Sequence, residues 1–586
     1  MRATDVPPQS ENPRDAWIGL SRKGGSRASV FGGRWLPLLA AVAFAFAAIL
    51  PGLYLGNPSG HDFEFHLASW AEAAQQWHQG IVYPRWALGG QFGYGEPRFI
   101  FYPPFSWVLG AALGSLLPWT AVPGAFAWLT LTLAGIAAYR LVREWQPQSV
   151  ALWAAALYVT NPYNLVNLYL RSAFAELLAS AFFPLAVLYA LRLARPGKEN
   201  AVRGIVPLAL VVAAVWLSNV PAAVVTCYAV ALLMGIEAVR QKSLVPVLRC
   251  GIAGVLGFAL CGFYVVPATY EQRWIHAAEA FAGGLDFQMN FLFGHTGDAD
   301  HDAFNRLVST VAAVELALAA IIFAACWRFA RRPTDEIIAG RTQIIREALL
   351  PILCLGIFAG LLPFRASLPV WKTMPFLKYV QFPWRSLFAL NAAIVFAAAC
   401  LAPNRRWRHA GKILTLAVWI VLAGIILSLP QWEGTDVQEY AGAVESGKGY
   451  ESIAEYVTSD ADGDQLLPGA PQVALADPDS PPENFHFTVE KWRAEERLIS
   501  LESSEPVRLQ VRLVDYPAWQ VEVNGNPGGK ESNPDTGQLI ISVPAGRSQV
   551  RIFFVRTQDR VAGAIVSCAA GAVLIGMLLL PGARRK

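Results

Sequence analysis

An acidic, histidine-containing motif, GHDFEFH at residues 60–66, follows directly after an apolar run. Charged groups close to the end of a membrane span are costly and often mark a functional site. Asp62 and His66 are four residues apart and would share one face of a helix, where they could hold a metal ion or orient an acceptor hydroxyl. Glu64 alternates with two phenylalanines. An aspartate N-cap followed by an interfacial helix explains the same motif, so both interpretations stay open.

Basic and aromatic residues recur near the ends of other apolar runs. Guanidinium and ammonium groups bind phosphate, and aromatic side chains suit sugar stacking. Snorkelling side chains and an aromatic belt at headgroup level explain them equally well. The residues with this potential are Arg85, Arg98, Arg171, Lys378, Trp384 and Arg385. Glu176 follows Arg171 at the end of a predicted span, where an ion pair is as good an explanation as catalysis.

Composition identifies a membrane protein. Of the 586 residues, 54% are hydrophobic and only 15% are charged, whereas soluble domains have roughly a quarter charged residues. A net charge of +4 is too small to indicate a nucleic-acid partner. The seven cysteines lie in or beside apolar runs without clustering, and we expect them to be packing residues. The His- and Asp-rich residues 295–302 lack the spacing of a known calcium or zinc loop, so a solvated loop is the default expectation.

Apolar runs of sufficient length predict twelve membrane spans. They are residues 35–55, 122–142, 149–161, 173–193, 205–219, 221–239, 250–267, 308–329, 347–363, 386–402, 412–430 and 561–581. Basic clusters between them place both termini in the cytoplasm, including a tail at 1–34 that does not look like a cleavable signal. This orientation requires that residues 104–118, in the first external loop (56–121), form a re-entrant or surface-lying helix that does not cross.

The polar region at 431–560 predicts a small β-sandwich outside the membrane. Hydrophobic alternation predicts strands at 507–514, 519–523, 539–543 and 550–555, with Trp519 in the core. Asn524-Gly525 and Ala545-Gly546 are turn signals between strands. Residues 561–586 then form the last helix and a basic tail. The fold class is therefore a polytopic α-helical membrane protein with an extracytoplasmic β-domain before its last span.

Two resemblances rest on these motifs. The external loop that opens with Asp62, and Glu176 at the start of a later span, resemble the GT-C glycosyltransferases. That resemblance implies a GT-C-like module at 35–430, a sugar donor on a polyprenyl phosphate, and a first-loop acid that activates the acceptor or binds Mg²⁺ or Mn²⁺. Glu176 is one acid where those enzymes have a pair.

Four short motifs are similar to a more specific group of bacterial membrane proteins. The motifs are HDFEFH at 61–66, YPRW at 83–86, QFPWR at 381–385 and YPAW at 516–519. The group is called "6-pyruvoyl-tetrahydropterin synthase-related" and is similar to the YfhO-like membrane proteins. The chain lacks the histidine triad of a pterin synthase, so the label implies no such activity. The resemblance implies a location in the bacterial inner membrane.

The resulting hypothesis is a glycosyltransferase that acts on the outer face on an envelope glycan, lipid or protein. Asp62, Glu64, His66 and Glu176 are its candidate catalytic residues, and membrane lipids surround it. A non-catalytic scaffold of envelope assembly is an alternative. A transporter or flippase is another, although charged residues are almost absent from the middle of the predicted spans.

Overall fold

The computed structural model describes residues 27–58, 60–196, 201–331, 345–401, 410–430, 432–433, 436–477 and 482–579. Its longer helices are α1 (Arg27–Leu55), α2 (Phe63–His78), α3 (Pro104–Gly114), α4 (Val122–Arg143), α5 (Gln148–Val159), α6 (Pro162–Tyr169), α7 (Phe174–Ala194), α8 (Ala201–Ser218), α9 (Val220–Gln241), α10 (Val245–Leu260), α11 (Gly262–Glu271), α12 (Ala299–Ala330), α13 (Leu350–Leu361), α14 (Leu387–Leu401), α15 (Ala410–Leu427), α16 (Asp436–Ser446) and α17 (Gln558–Leu579).

Helices occur at all twelve positions predicted to span the membrane. Within the described residues, seven helices are long and apolar enough to cross, and two bent pairs raise the number to nine. One pair, α10 with residues 262–274, bends by 71°, and the other, α13 with residues 365–373, bends by 101°. Helices α5, α8 and α15 are shorter within the described residues. The predicted number of twelve spans is therefore not confirmed.

The apolar segment 104–118 forms the short helix α3, as predicted. Its 11 residues extend about 16 Å, which is about half of a bilayer core. Gly110 of α3 lies directly against the Trp70 ring of α2, where a Cβ atom would collide. Helix α3 is thus a packing partner of the first-loop helix.

The C-terminal region contains two antiparallel sheets that share one hydrophobic core. The first has the order β3-β6-β10-β9 and the second β4-β5-β11-β7-β8. Leu509, Trp519 and Ile541 are fully buried between them, which confirms the β-sandwich and the position of Trp519. The strands are β3 (Val473–Leu475), β4 (Phe485–Arg493), β5 (Glu496–Ser503), β6 (Val507–Val514), β7 (Trp519–Val523), β8 (Asn526–Pro527), β9 (Lys530–Ser532), β10 (Gln538–Val543) and β11 (Gly546–Phe554).

Within the described residues, the first part of the C-terminal region contains a helix and only one short strand before the β-sandwich. Helix α16 packs against α2, in the loop between α1 and α4. Strand β1 (Asn57–Pro58) pairs with β2 (Trp432–Glu433) and joins the end of α1 to the start of this region. The segment that follows α15 therefore packs on the loop between α1 and α4.

All seven cysteines are free thiols. Cys250, Cys261, Cys326 and Cys400 are buried as predicted. Cys227 and Cys568 are exposed on the surfaces of their apolar helices, and Cys354 is half-buried.

Candidate functional site

Asp62 is held where the first loop lies against the start of α7. Its backbone amide donates to the Arg171 carbonyl at 2.9 Å, and the Ser172 hydroxyl donates to the Pro58 carbonyl at 3.1 Å. A Cβ at Gly60 would lie 2.5 Å from the Arg171 carbonyl carbon. Only glycine allows this approach, so the GHD sequence places the carboxylate of Asp62 beside Arg171.

Arg171 connects Asp62 to Glu176. Its Nη1 donates to Glu176 Oε2 at 2.6 Å and to Asn167 Oδ1 at 2.7 Å. Its Nη2 lies 3.8 Å from Asp62 Oδ2. The Asp62 side chain is 42% exposed, whereas those of Arg171 and Glu176 are 4% and 2% exposed. Arg171 thus links the buried carboxylate of Glu176 to the accessible carboxylate of Asp62.

Arg385 joins the same group from the start of α14. Its Nε lies 3.1 Å from Glu176 Oε2, and its Nη1 donates to the Val380 carbonyl at 3.0 Å and to Gln381 Oε1 at 2.9 Å. The Arg171 guanidinium lies 5.0 Å from the centre of the Trp384 ring. Segments far apart in the chain therefore bring two guanidinium groups to one carboxylate.

Several donors in this cluster are not used by the described residues. The Trp384 Nε1 and Asn167 Nδ2 atoms are buried without a hydrogen-bond partner there. Arg385 Nε is near Glu176 but is not aligned with it for a hydrogen bond. Buried polar groups normally find partners. The arrangement has the composition of an anion site, because its spare groups are all donors and two of its side chains are guanidinium groups.

Burial and neighbouring charges shift the pKa values of three groups that lie outside the helices that span the membrane. Burial would lower the pKa of Arg171, but the carboxylates of Glu176 and Asp62 raise it above its usual range. Burial lowers the pKa of His66 to about 4, so its imidazole is neutral near pH 7. Burial raises the pKa of Tyr102 above its usual range, and its hydroxyl keeps its proton.

The contacts of the His66 side chain do not favour a metal-binding role. Its Nδ1 lies 3.3 Å from the Ser106 hydroxyl, and its ring packs on Phe174 with centroids 5.6 Å apart. In the part of the chain that the structure describes, no group of three or more His, Cys, Asp or Glu side chains could hold a metal ion. That statement includes residues 295–302, where His295 pairs with Asp302. Asp62 and His66 thus do not fit a metal site, and the Mg²⁺ or Mn²⁺ requirement stays a prediction.

Four other predicted site residues lie outside this cluster. Arg98 is buried in a pair with Glu96, at 2.5 Å between Nε and Oε1. The Arg85 guanidinium lies 4.0 Å from the centre of the Tyr83 ring. Lys378 and Glu64 are exposed.

Sequence reasoning missed three polar groups at the site. Tyr163 donates a short hydrogen bond to Glu176 Oε1, and Asn167 binds Arg171. Both lie on α6, whose residues are all buried. Asn161 caps the start of this helix, since its Oδ1 accepts from the Asn164 amide at 2.9 Å, and an asparagine followed by a proline is a typical helix start that could have indicated it. The third group is Tyr102, which lies within electrostatic range of both Asp62 and Arg385.

Residues 99–433 match the family described as "6-pyruvoyl-tetrahydropterin synthase related domain; membrane protein". This match covers more than half of the chain. The chain belongs to this family. The more specific of the two resemblances is thereby confirmed, together with the assignment to the membrane. No curated protein matches the sequence.

Two solved structures of the arabinofuranosyltransferase AftD from Mycobacteria, both from single-particle cryo-EM, are similar to this chain. A point-mutant form has a TM-score of 0.41 and 18% identity, and the match covers 68% of this chain and 28% of that one. The other has a TM-score of 0.38 and 16% identity, with coverages of 69% and 27%. The chain therefore spans less than a third of the length of AftD.

Proposed function

We propose that this protein transfers a sugar from a polyprenyl-phosphate-linked donor to a hydroxyl group of an envelope acceptor on the outer face of the inner membrane. The observation that carries the proposal is the meeting of Asp62, Arg171, Glu176 and Arg385 in one cluster with spare hydrogen-bond donors. An exposed carboxylate beside a buried anion site is what such a displacement requires.

In the proposed reaction Asp62 is the general base. It accepts the proton of the acceptor hydroxyl as that oxygen bonds to the anomeric carbon of the donor sugar. The bond between this carbon and the phosphate oxygen breaks, and the phosphate departs with the electron pair. Attack from the opposite face inverts the configuration at the anomeric carbon.

Arg171 and Arg385 would stabilise the charge on the departing phosphate. Donors already fixed in a buried site need no reorganisation as that charge develops. Glu176 holds both guanidinium groups in place and prevents their mutual repulsion. Its role in this proposal is therefore positioning, rather than the catalytic one that the sequence suggested.

The test is transfer of radiolabelled sugar from polyprenyl-phosphate donors by purified protein with envelope extract. Asp62→Asn keeps the size of the side chain but removes the base, and we expect a loss of about 10²–10⁴-fold in rate. Glu64→Gln changes an exposed acid in the first turn of the helix that begins after Asp62, and this matched control should stay near wild type. Full activity of Asp62→Asn would remove this residue from the mechanism. Absence of transfer by the wild type with every donor would favour the scaffold alternative.

A transporter is the second candidate, because one carboxyl group lies deep in the bundle. Glu315 is fully buried near the middle of α12 and accepts from Asn391 Nδ2 at 3.0 Å. Buried ionisable groups at that depth often serve a transport pathway. Movement of a fluorescent polyprenyl-phosphate lipid between leaflets of proteoliposomes, lost in Glu315→Ala, would support this alternative. No movement by the wild type would exclude it for that lipid.

A further inference from the structure

The chain makes a tight turn at Gln381, four residues before Arg385. Gln381 has φ 62° and ψ −56°, and the Phe382 amide donates across it to the Val380 carbonyl at 2.7 Å. This is a γ-turn of the rare form with positive φ, which is strained for a residue that has a Cβ atom. Contacts around Gln381 must therefore hold its backbone in this conformation.

Both ends of the Gln381 amide group are hydrogen-bonded. Its Nε2 donates to the Ala280 carbonyl at 2.6 Å, in the loop between α11 and α12. Its Oε1 accepts from Arg385 Nη1 at 2.9 Å. The Val380 carbonyl, which closes the γ-turn, accepts from the same Arg385 nitrogen at 3.0 Å. The strained turn and the amide group thus hold one nitrogen of Arg385 together.

These contacts leave one edge of the Arg385 guanidinium group for a ligand. Within the described residues, the side-chain hydrogen bonds of Arg385 all use Nη1, and Nε is buried without a hydrogen-bond partner. Nε and Nη2 form an edge whose two N–H bonds point the same way and match two oxygens of one phosphate group. Because the guanidinium group is planar and rigid, fixing Nη1 fixes the direction of this edge.

Amide groups orient both arginines of the cluster. Gln381 binds Arg385, and Asn167 Oδ1 accepts from Arg171 Nη1 at 2.7 Å. An amide oxygen is a neutral acceptor, so it orients a guanidinium group without cancelling its charge, whereas a carboxylate would cancel it. Gln381 therefore aligns Arg385 and leaves its charge available to an anion.

We infer that Gln381 is a positioning residue that directs the Nε–Nη2 edge of Arg385 towards the phosphate of the donor. This inference rests on the proposed function, in which Arg385 stabilises the departing phosphate. Strained backbone persists where the surrounding structure enforces it and is concentrated at functional sites. Here the strained turn directs a carbonyl and an amide group onto Arg385. Without the amide group the long side chain would regain rotamer freedom, and its edge would be aligned with the phosphate less often.

The kinetic test compares Gln381→Met with the wild type in the transfer assay. Methionine is similar in length but lacks the amide group. We expect kcat to fall about 10-fold, the effect of one lost hydrogen bond to a charged group, with the acceptor KM nearly unchanged. Gln288→Met, which changes an exposed glutamine in the loop between α11 and α12, is the control. Wild-type transfer with an unchanged kcat for Gln381→Met would overturn the inference and leave the proposed function intact.

Two smaller side chains separate positioning from stability. Gln381→Ala and Gln381→Gly both remove the amide group, but glycine adopts a φ of 62° without strain. The glycine variant should therefore unfold at a higher temperature than the alanine variant, while both lose kcat to the same extent. Recovery of kcat in the glycine variant would overturn the inference, because activity would then follow stability and not the amide contact.

Pyrophosphate binding tests the inference without turnover. Thermal unfolding in nanodiscs at increasing pyrophosphate concentrations gives the dissociation constant. We expect it to rise about 10-fold in Gln381→Met and to stay unchanged in Gln288→Met. This result with a wild type that transfers no sugar would support the inference and reject the proposed donor chemistry. Equal dissociation constants for wild type and Gln381→Met, or no stabilisation of the wild type, would overturn the inference.

Discussion

Two buried groups of arginine and glutamate illustrate opposite uses of the same residue types. At the junction between the β-sandwich and the last helix, Arg560 binds both carboxylate oxygens of Glu271. Its Nε lies 2.7 Å from Oε1 and its Nη2 lies 2.7 Å from Oε2. The Tyr516 hydroxyl donates to the same carboxylate at 2.6 Å, and Arg560 Nη1 donates to the Val555 carbonyl at 3.2 Å. Every nitrogen of this guanidinium group is used, and its charge is matched by one carboxylate.

The cluster around Glu176 is different in both respects. One buried carboxylate faces two arginines, Arg171 and Arg385, and the nearest further carboxylate, Asp62, is partly exposed. Spare donors remain on Arg385 and Trp384 within the described residues. A closed pair holds two elements together, whereas a buried carboxylate that is shared by two arginines with free donors beside it is suited to a ligand. The balance of charges and donors therefore separates a structural site from a candidate functional one.

The largest expected effect is a loss of stability when the junction between the β-sandwich and the last helix is changed. Arg560→Met leaves Glu271 buried without a counter-charge, which commonly costs about 3–5 kcal/mol of the free energy of unfolding. Chemical denaturation of the detergent-solubilised protein measures this loss. Arg556→Met, which changes an exposed arginine at the same helix start, should be nearly neutral. Equal stability of Arg560→Met and Arg556→Met would mean that the pair of Arg560 and Glu271 does not stabilise the fold.

The next largest effect is expected on kcat when Arg385, in the cluster around Glu176, is changed. Arg385→Lys keeps the charge but loses the planar fork that grips phosphate. We expect kcat to fall by up to about 10²–10³-fold, the cost of removing one transition-state donor. The loss of stability should be smaller than for Arg560→Met. The exposed Arg365→Lys is the control in the same transfer assay, and equal rates for the two variants would contradict an anion role for Arg385.

A smaller effect concerns ligand binding without turnover. Pyrophosphate at ten times its dissociation constant should stabilise the wild type by about 1.4 kcal/mol, because the cluster has donors to offer. Thermal unfolding in nanodiscs measures this shift. The shift should disappear in Arg385→Lys and persist in Arg560→Met. A shift that survives in both variants would place the anion elsewhere.

The smallest effect is expected for Lys378, which the sequence suggested as a phosphate ligand. Its side chain is exposed, with the ammonium 5.3 Å from the centre of the Tyr379 ring. Lys378→Met should change the free energy of unfolding by less than about 0.5 kcal/mol and leave transfer near wild type. A large loss of transfer would extend the functional surface beyond the cluster.

The sequence alone determined the membrane helices and the β-sandwich, and it indicated part of the candidate site. Apolar runs and strict alternation are local patterns, because burial in lipid or in a sheet acts on consecutive residues. Asp62, Glu176 and Arg385 were identifiable because charge beside an apolar run is costly. The same reasoning selected Arg98 and Lys378, since a local pattern does not reveal which partner a charge finds.

Only the tertiary structure decided those partners. Glu176 meets Arg385, and Arg98 meets Ser452, because helix packing brings distant segments together. The energy of a buried charge depends on its neighbours in space, so its role as a structural pair or a ligand-binding group becomes visible only in the folded chain.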